Sequence, residues 1–119
     1  MNQDFEIPKH EPLRAEVFSY ADLVSYQAES IVSRTIIDAP AGTVTVFAFD
    51  AGQRLSEHTA PFDALIEIVD GMGIITIDGK EYPVPAGNQI IMPANHPHTV
   101  RGDGRFKMVL VMIRSKKES

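Results

Sequence analysis

From Ile31 onward the chain is a train of short runs rich in β-branched and aromatic residues, each ended by an explicit turn signal. Runs over 31–37, 43–49, 65–69, 73–77, 89–92, 98–101 and 106–113 read as strands. The breaks between them are Ala39-Pro-Ala-Gly42, Asp50-Ala-Gly52, Asp70-Gly71, Asp78-Gly79, Pro83 with Pro85, Gly87, and Gly102-Asp-Gly104. No ten-residue stretch of this region keeps a helical period, which disfavours alternating strands and helices around a parallel sheet. The expected class is therefore all-β, a sandwich or a barrel. Asp78-Gly79 is the sharpest hairpin signal, because both central residues of a type I′ turn need positive φ.

A length of 119 residues suits one domain and is too short for two ordinary cores. The net charge of −5, with no basic run beyond Lys116-Lys117, supplies no footprint for a phosphate backbone, so nucleic acid is not an expected partner. The absence of cysteine removes disulfides, thiolate metal sites and cysteine nucleophiles. The acidic, polar start Met-Asn-Gln-Asp-Phe-Glu has no charged-then-apolar leader pattern, and no apolar run approaches the roughly 20 residues of a membrane helix. A cytoplasmic protein without a membrane partner is the resulting expectation.

The first thirty residues differ from the rest. Pro8 and Pro12 precede Ala21-Asp-Leu-Val-Ser-Tyr-Gln27, where Ser19 or Asp22 can cap a short helical turn. We expect an N-terminal extension over 1–30 that packs on the barrel or on a partner, a barrel over 31–114 and a loose tail over 115–119. Val109-Leu-Val-Met-Ile113 and Gly73-Ile-Ile-Thr-Ile77 are apolar on both faces, whereas a half-buried antiparallel strand alternates. A homodimer accounts for the second apolar face, and so does a covering N-terminal segment.

Two stretches carry the chemistry. The first, Gly52-Gln-Arg-Leu-Ser-Glu-His58-Thr-Ala60-Pro-Phe-Asp63-Ala64, is followed by Gly71; the second is Gly87-Asn-Gln-Ile-Ile-Met-Pro93-Ala-Asn-His96-Pro-His98. Together they resemble the paired signature of the cupin superfamily. In that pattern Gly52, His58 and Gly71 keep the first spacing, and Gly87, Pro93 and His98 keep the second. The chain departs from it at Ala60, where a second histidine belongs, at Ala64, where a glutamate belongs, at Asn95 in place of a glycine, and at Gly102 in place of an asparagine. The resemblance implies a double-stranded β-helix, or jelly roll, pairing through its sheets, with His58 and His98 directed at a divalent metal inside the barrel. It does not choose among the dioxygenases, isomerases, decarboxylases, lyases and binding proteins of the superfamily.

Neutral imidazoles suit zinc, nickel, iron, copper or manganese, and two of them make an incomplete site. His96 is the first candidate for a third ligand, since an extended backbone, favoured by Pro97, puts residues 96 and 98 on one face. Glu57 and Asp63 are weaker candidates, as ligands or as acid/base groups. The plainer readings are an ion pair of Glu57 with Arg54 or Arg101 and a turn capped by Asp63. His10, between Lys9 and Glu11, is expected to be solvated. With small residues at Ala60 and Ala64, the interior is expected to be roomier and more apolar, lined by Phe47, Phe49, Met92, Met108 and Met112, or else filled by them as ordinary core. The functional expectation is a small-molecule site with a divalent metal on few histidines. Its alternative is a metal-free ligand-binding or sensing module.

Overall fold

The computed structural model describes residues 13–114, so His10, residues 1–12 of the extension and the expected tail lie outside the described residues. Nine strands run through the described residues: β1 (Ile31–Ala39), β2 (Gly42–Phe49), β3 (Arg54–His58), β4 (Ala64–Asp70), β5 (Met72–Ile77), β6 (Lys80–Pro85), β7 (Gln89–Met92), β8 (His98–Arg101) and β9 (Phe106–Ile113). They form a five-stranded sheet in the order β1-β2-β9-β4-β7 and a four-stranded sheet in the order β3-β8-β5-β6. All pairings are antiparallel.

The seven strands expected from the sequence are all present, and β3 and β6 are added to them. Pro83 and Pro85 read as breaks, yet both lie in β6 opposite Ile74 and Met72. The reason is position: β6 is the edge of its sheet, where a missing N–H costs no ladder bond on the open side. β3 carries a single apolar residue, Leu55, in Arg-Leu-Ser-Glu-His, and so gives no alternation to detect. The Asp78-Gly79 hairpin forms between β5 and β6, with φ of 53° at Asp78 and 81° at Gly79.

The core lies between the sheets. Phe49 and Phe106 face each other across the β2–β9 ladder and stack with ring centroids 4.3 Å apart. Ile66, Ile68 and Met108 from one sheet meet Ile75, Val84 and Val100 from the other, all buried. A second cluster lies on the outer face of the five-stranded sheet, where Val46, Ala48 and Val109 are buried beneath Val24 with Tyr20, Leu23 and Tyr26 packed around it. Residues 20–26 therefore cover part of this face, which explains one half of the two-faced β9 run.

That cover is fastened by polar contacts. Lys107 Nζ donates to the Ala21 carbonyl at 2.6 Å, and Tyr26 Oη donates to Asp70 at 2.5 Å. Burial and the Asp70 carboxylate push the Tyr26 phenol upward, so the hydroxyl keeps the proton it donates. Arg105 lies over the Tyr26 ring and donates to Asp50 at 2.7 Å, holding that carboxyl below the ordinary carboxylate range. The short 3₁₀ turn Tyr20–Leu23 follows Ser19, as expected, but the Ser19 side chain makes no cap bond.

Candidate functional site

His58 ends β3 and His98 begins β8, and the two are direct cross-strand partners. Regular pairing from Leu55 and Val100 would bring Glu57, not His58, opposite His98. One extra residue between Leu55 and His58 shifts the register, and this bulge re-aims the strand so that the imidazole takes the place. Glu57 and His58 are both exposed, so of the two histidines expected inside the barrel only His98 is buried, the pair lying where β3 ends at the surface.

The rings meet edge to face, with centroids 4.3 Å apart and planes at 73°. His58 Nε2 and His98 Nε2 are 3.2 Å apart. His58 Nδ1 lies 3.2 Å from the Ser56 carbonyl, and His98 Nδ1 lies 3.2 Å from the His96 carbonyl. A carbonyl oxygen only accepts, so in the tautomer that satisfies both of these contacts each Nδ1 carries the hydrogen and donates it. Three contacts then need three hydrogens, whereas two neutral imidazoles supply two. In that tautomer both Nε2 atoms are bare, and a third hydrogen or a metal ion would bridge them.

Burial and the neighbouring ring disfavour a proton on His98. His98 is the one buried polar side chain among the described residues, and burial first, then the neighbouring His58, push its pKa below the ordinary value of 6.5, against the opposing pull of the His96 carbonyl. The spacing suits a metal, because two nitrogens on one ion at zinc–nitrogen lengths stand about 2.9 to 3.4 Å apart for right-angled to tetrahedral arrangements. Imidazoles whose Nδ1 hydrogens are held by carbonyls, with Nε2 left bare, also have the usual outer-shell arrangement of metal-binding histidines.

The other expected residues have different places. His96 turns away from the pair and puts Nδ1 2.7 Å from Asp78 Oδ2, both side chains being about half exposed. Among the described residues no three His, Cys, Asp or Glu side chains are grouped to hold a metal ion, so the expected third imidazole does not join the first two. Asp63 Oδ1 accepts from the Ala94 N–H at 2.8 Å, and the Ala60 carbonyl accepts from the Asn95 N–H at 2.7 Å. These bonds clamp the loop before His98, in keeping with the plainer reading of Asp63. Arg101 pairs with Glu81 and Asp103 rather than with Glu57.

Met92, Ala64 and Met112 form one row across β7, β4 and β9. Phe49 and Met108 are fully buried in the core, with half-buried Phe47 beside Phe49. Phe49, Ala64, Met92 and Met108 thus belong to the packed core, with Phe47 against it, as in the ordinary-core reading. A cavity of about 570 Å³ opens elsewhere, between Leu13, Phe18 and the Ile36–Asp38 stretch of β1, and the histidine pair is not among its walls. Asp78 was legible only as a turn residue; its contact with His96 depends on the β5–β8 pairing, which the sequence does not display.

Two antiparallel sheets enclosing one core, with two histidines paired across neighbouring strands, define a double-stranded β-helix. A family model described as the cupin domain matches residues 45–114, and the chain belongs to that family. The fold is similar to a conserved protein of unknown function from Streptococcus pyogenes, at 34% identity over 87% of this chain and 90% of that one, with a TM-score of 0.82. It is also similar to a cupin 2 conserved barrel domain protein from Leptotrichia buccalis, at 38% identity over 82% of this chain and 47% of that one, with a TM-score of 0.79. A polyketide synthase protein, CurC, from Streptomyces cyaneus is 25% identical over 67% of this chain, which spans 54% of that curated relative's length. Among the described residues no helix is long and apolar enough to cross a membrane.

Proposed function

We propose that this cupin binds a small organic ligand of carbonyl or carboxylate type at a divalent metal ion held by His58 and His98. The observation that carries the reading is the 3.2 Å gap between the two Nε2 atoms, with each Nδ1 3.2 Å from a carbonyl oxygen that can only accept. Zinc, nickel, iron or manganese in the divalent state suits such donors. Two neutral imidazoles leave the double charge uncompensated and most coordination positions unfilled, so an anionic oxygen ligand is the fitting partner. When bound, the ion supplies polarisation of a carbonyl or carboxylate oxygen. The chain's own contribution is to set the two rings side by side across the β3–β8 ladder, with each Nδ1 3.2 Å from a backbone carbonyl. No proton-transfer role is proposed for Glu57 or Asp63.

The test is equilibrium dialysis of untagged protein against each of the four metals, with and without malonate as a probe dicarboxylate, reading metal per chain. One metal per chain, tightened by malonate and lost in the His58→Ala/His98→Ala double variant, supports the reading. Stoichiometric metal retained by that variant overturns the ligand assignment. Ala60, Ala64 and the absence of a third grouped ligand favour a second reading, a metal-free ligand-binding or sensing cupin. It predicts no uptake of any of the four metals and ligand affinity unchanged in the double variant.

The proposal includes the division into extension, barrel and tail at residues 30 and 114, the cytoplasm as setting, and a homodimer. The outer face of the five-stranded sheet supports the last of these. Ile37, Val44, Val111, Leu65 and Ile91 form one unbroken apolar row across all five strands, and Ile37, Leu65 and Ile91 are exposed. The next row reads Arg34, Val46, Val109, Glu67, Gln89. A two-fold axis along β9 lays the apolar row of one copy on that of a second, Ile37 against Ile91 and Val44 against Leu65, and brings Arg34 to the side that carries Glu67. Such self-complementarity is what an isologous interface requires.

A further inference from the structure

The loop 93–97 before β8 has little internal support. Pro97 lacks an N–H, Asn95 sits at φ 69°, and the one backbone bond inside the loop, His96 N–H to the Pro93 carbonyl, is long at 3.4 Å. The loop is held from outside instead. Ala60 and Asp63 grip Ala94 and Asn95 on one side. Asp78 grips the other side twice: its carboxylate is 2.7 Å from His96 Nδ1, and its N–H donates to the Pro97 carbonyl at 3.0 Å. Between those two grips lies the His96 carbonyl, the acceptor of the His98 Nδ1 hydrogen.

Asp78 carries more than its turn demands. A type I′ position accepts glycine or asparagine as readily as aspartate, and neither supplies a charged acceptor for His96. The position is also well fixed, because Ile77, its neighbour, pairs directly with His98 across the ladder. We propose that Asp78 is a positioning residue for His98: by clasping His96 it holds the His96 carbonyl in place, which keeps the His98 hydrogen on Nδ1 and leaves Nε2 bare toward His58. The inference rests on the reading of His58 and His98 as the binding pair. It gives His96 a supporting role in place of the ligand role expected from its spacing. When the clasp is lost, the carbonyl moves, Nδ1 loses its acceptor, and the hydrogen shifts to Nε2, where it blocks the lone pair that a metal needs.

Asp78→Gly keeps the turn and removes the carboxylate, and His96→Ala removes the other half of the clasp while keeping the carbonyl. Long-range proton–nitrogen NMR at pH 8 reads the His98 tautomer directly in metal-free protein. Both variants are expected to move His98 Nε2 from the bare toward the protonated nitrogen range, with Asp78→Asn intermediate. The double variant moves it no further, since both changes break one contact. Zinc affinity should fall about tenfold, the lower end of what outer-shell partners of metal-binding imidazoles contribute. An unchanged His98 tautomer in either folded single variant overturns the proposal. If the tautomer shifts while wild-type protein takes up no zinc, the positioning role stands and the metal reading fails.

Discussion

Removing one imidazole should cancel most of the stabilisation that zinc confers, and the size of that effect follows from the ligand count. Four-ligand zinc sites bind with about 10 to 16 kcal/mol, so two ligands in good geometry are worth about half, roughly 5 to 8 kcal/mol, or a Kd between about 0.2 mM and about 1 μM. At 1 mM free zinc, mass action then stabilises the folded chain by about 1 to 4 kcal/mol. For a domain of this size that raises Tm by about 4 to 16 °C. His58→Ala or His98→Ala leaves one ligand, a Kd in the millimolar range and a rise below about 2 °C by the same arithmetic. The assay is differential scanning calorimetry of each protein in 1 mM zinc and in chelator. The quantity compared is the shift on adding zinc, because loss of the buried His98 lowers the starting Tm by itself. An equal zinc shift in wild type and in the double variant would refute the reasoning, as would a wild-type shift of zero.

Three further outcomes are expected. Leu65→Glu places a charge in the middle of the apolar row on the outer sheet face, and analytical ultracentrifugation should show dimer turning to monomer with Tm little changed; a dimer that survives excludes this face. The pKa of His98 is lowered on folding, so its contribution to stability is complete above pH 6.5 and is lost as pH falls through the lowered folded value. Urea unfolding between pH 7.5 and 5 should therefore show a steeper loss for wild type than for His98→Gln, and parallel curves contradict the assignment. Gly71 sits at φ 74°, and a Cβ there would collide with the Arg105 carbonyl oxygen, so Gly71→Ala should cost about 2 kcal/mol or more in urea unfolding.

The fold was legible because its signals are local. Short β-branched runs and the Asp78-Gly79 turn specify strands and one hairpin without any knowledge of neighbours. β6 was missed because the same prolines that break an interior strand are tolerated at an edge, and edge position is a property of the whole sheet. The site was half legible. Spacing alone singled out His58 and His98, but the bulge in β3 that brings them face to face, and the contact of His96 with Asp78, arise from cross-strand register. Extended geometry at His96 predicted a side chain on the His98 face, and the left-handed turn at Asn95 together with the Asp78 carboxylate directs it elsewhere. The two-faced apolar strands carried two explanations; residues 20–26 bury Val46, Ala48 and Val109, as the covering segment requires, while Ile37, Leu65, Ile91 and Ile113 stay exposed and are the surface on which the proposed homodimer rests.

The central claim is that the facing Nε2 atoms of His58 and His98 share one cation. A crystal equilibrated in 1 mM zinc and measured on both sides of the zinc absorption edge tests it most directly. An anomalous difference peak bonded to both Nε2 atoms is expected, with His96 still turned to Asp78. No peak at that position, or a peak at the His96–Asp78 pair instead, would contradict it.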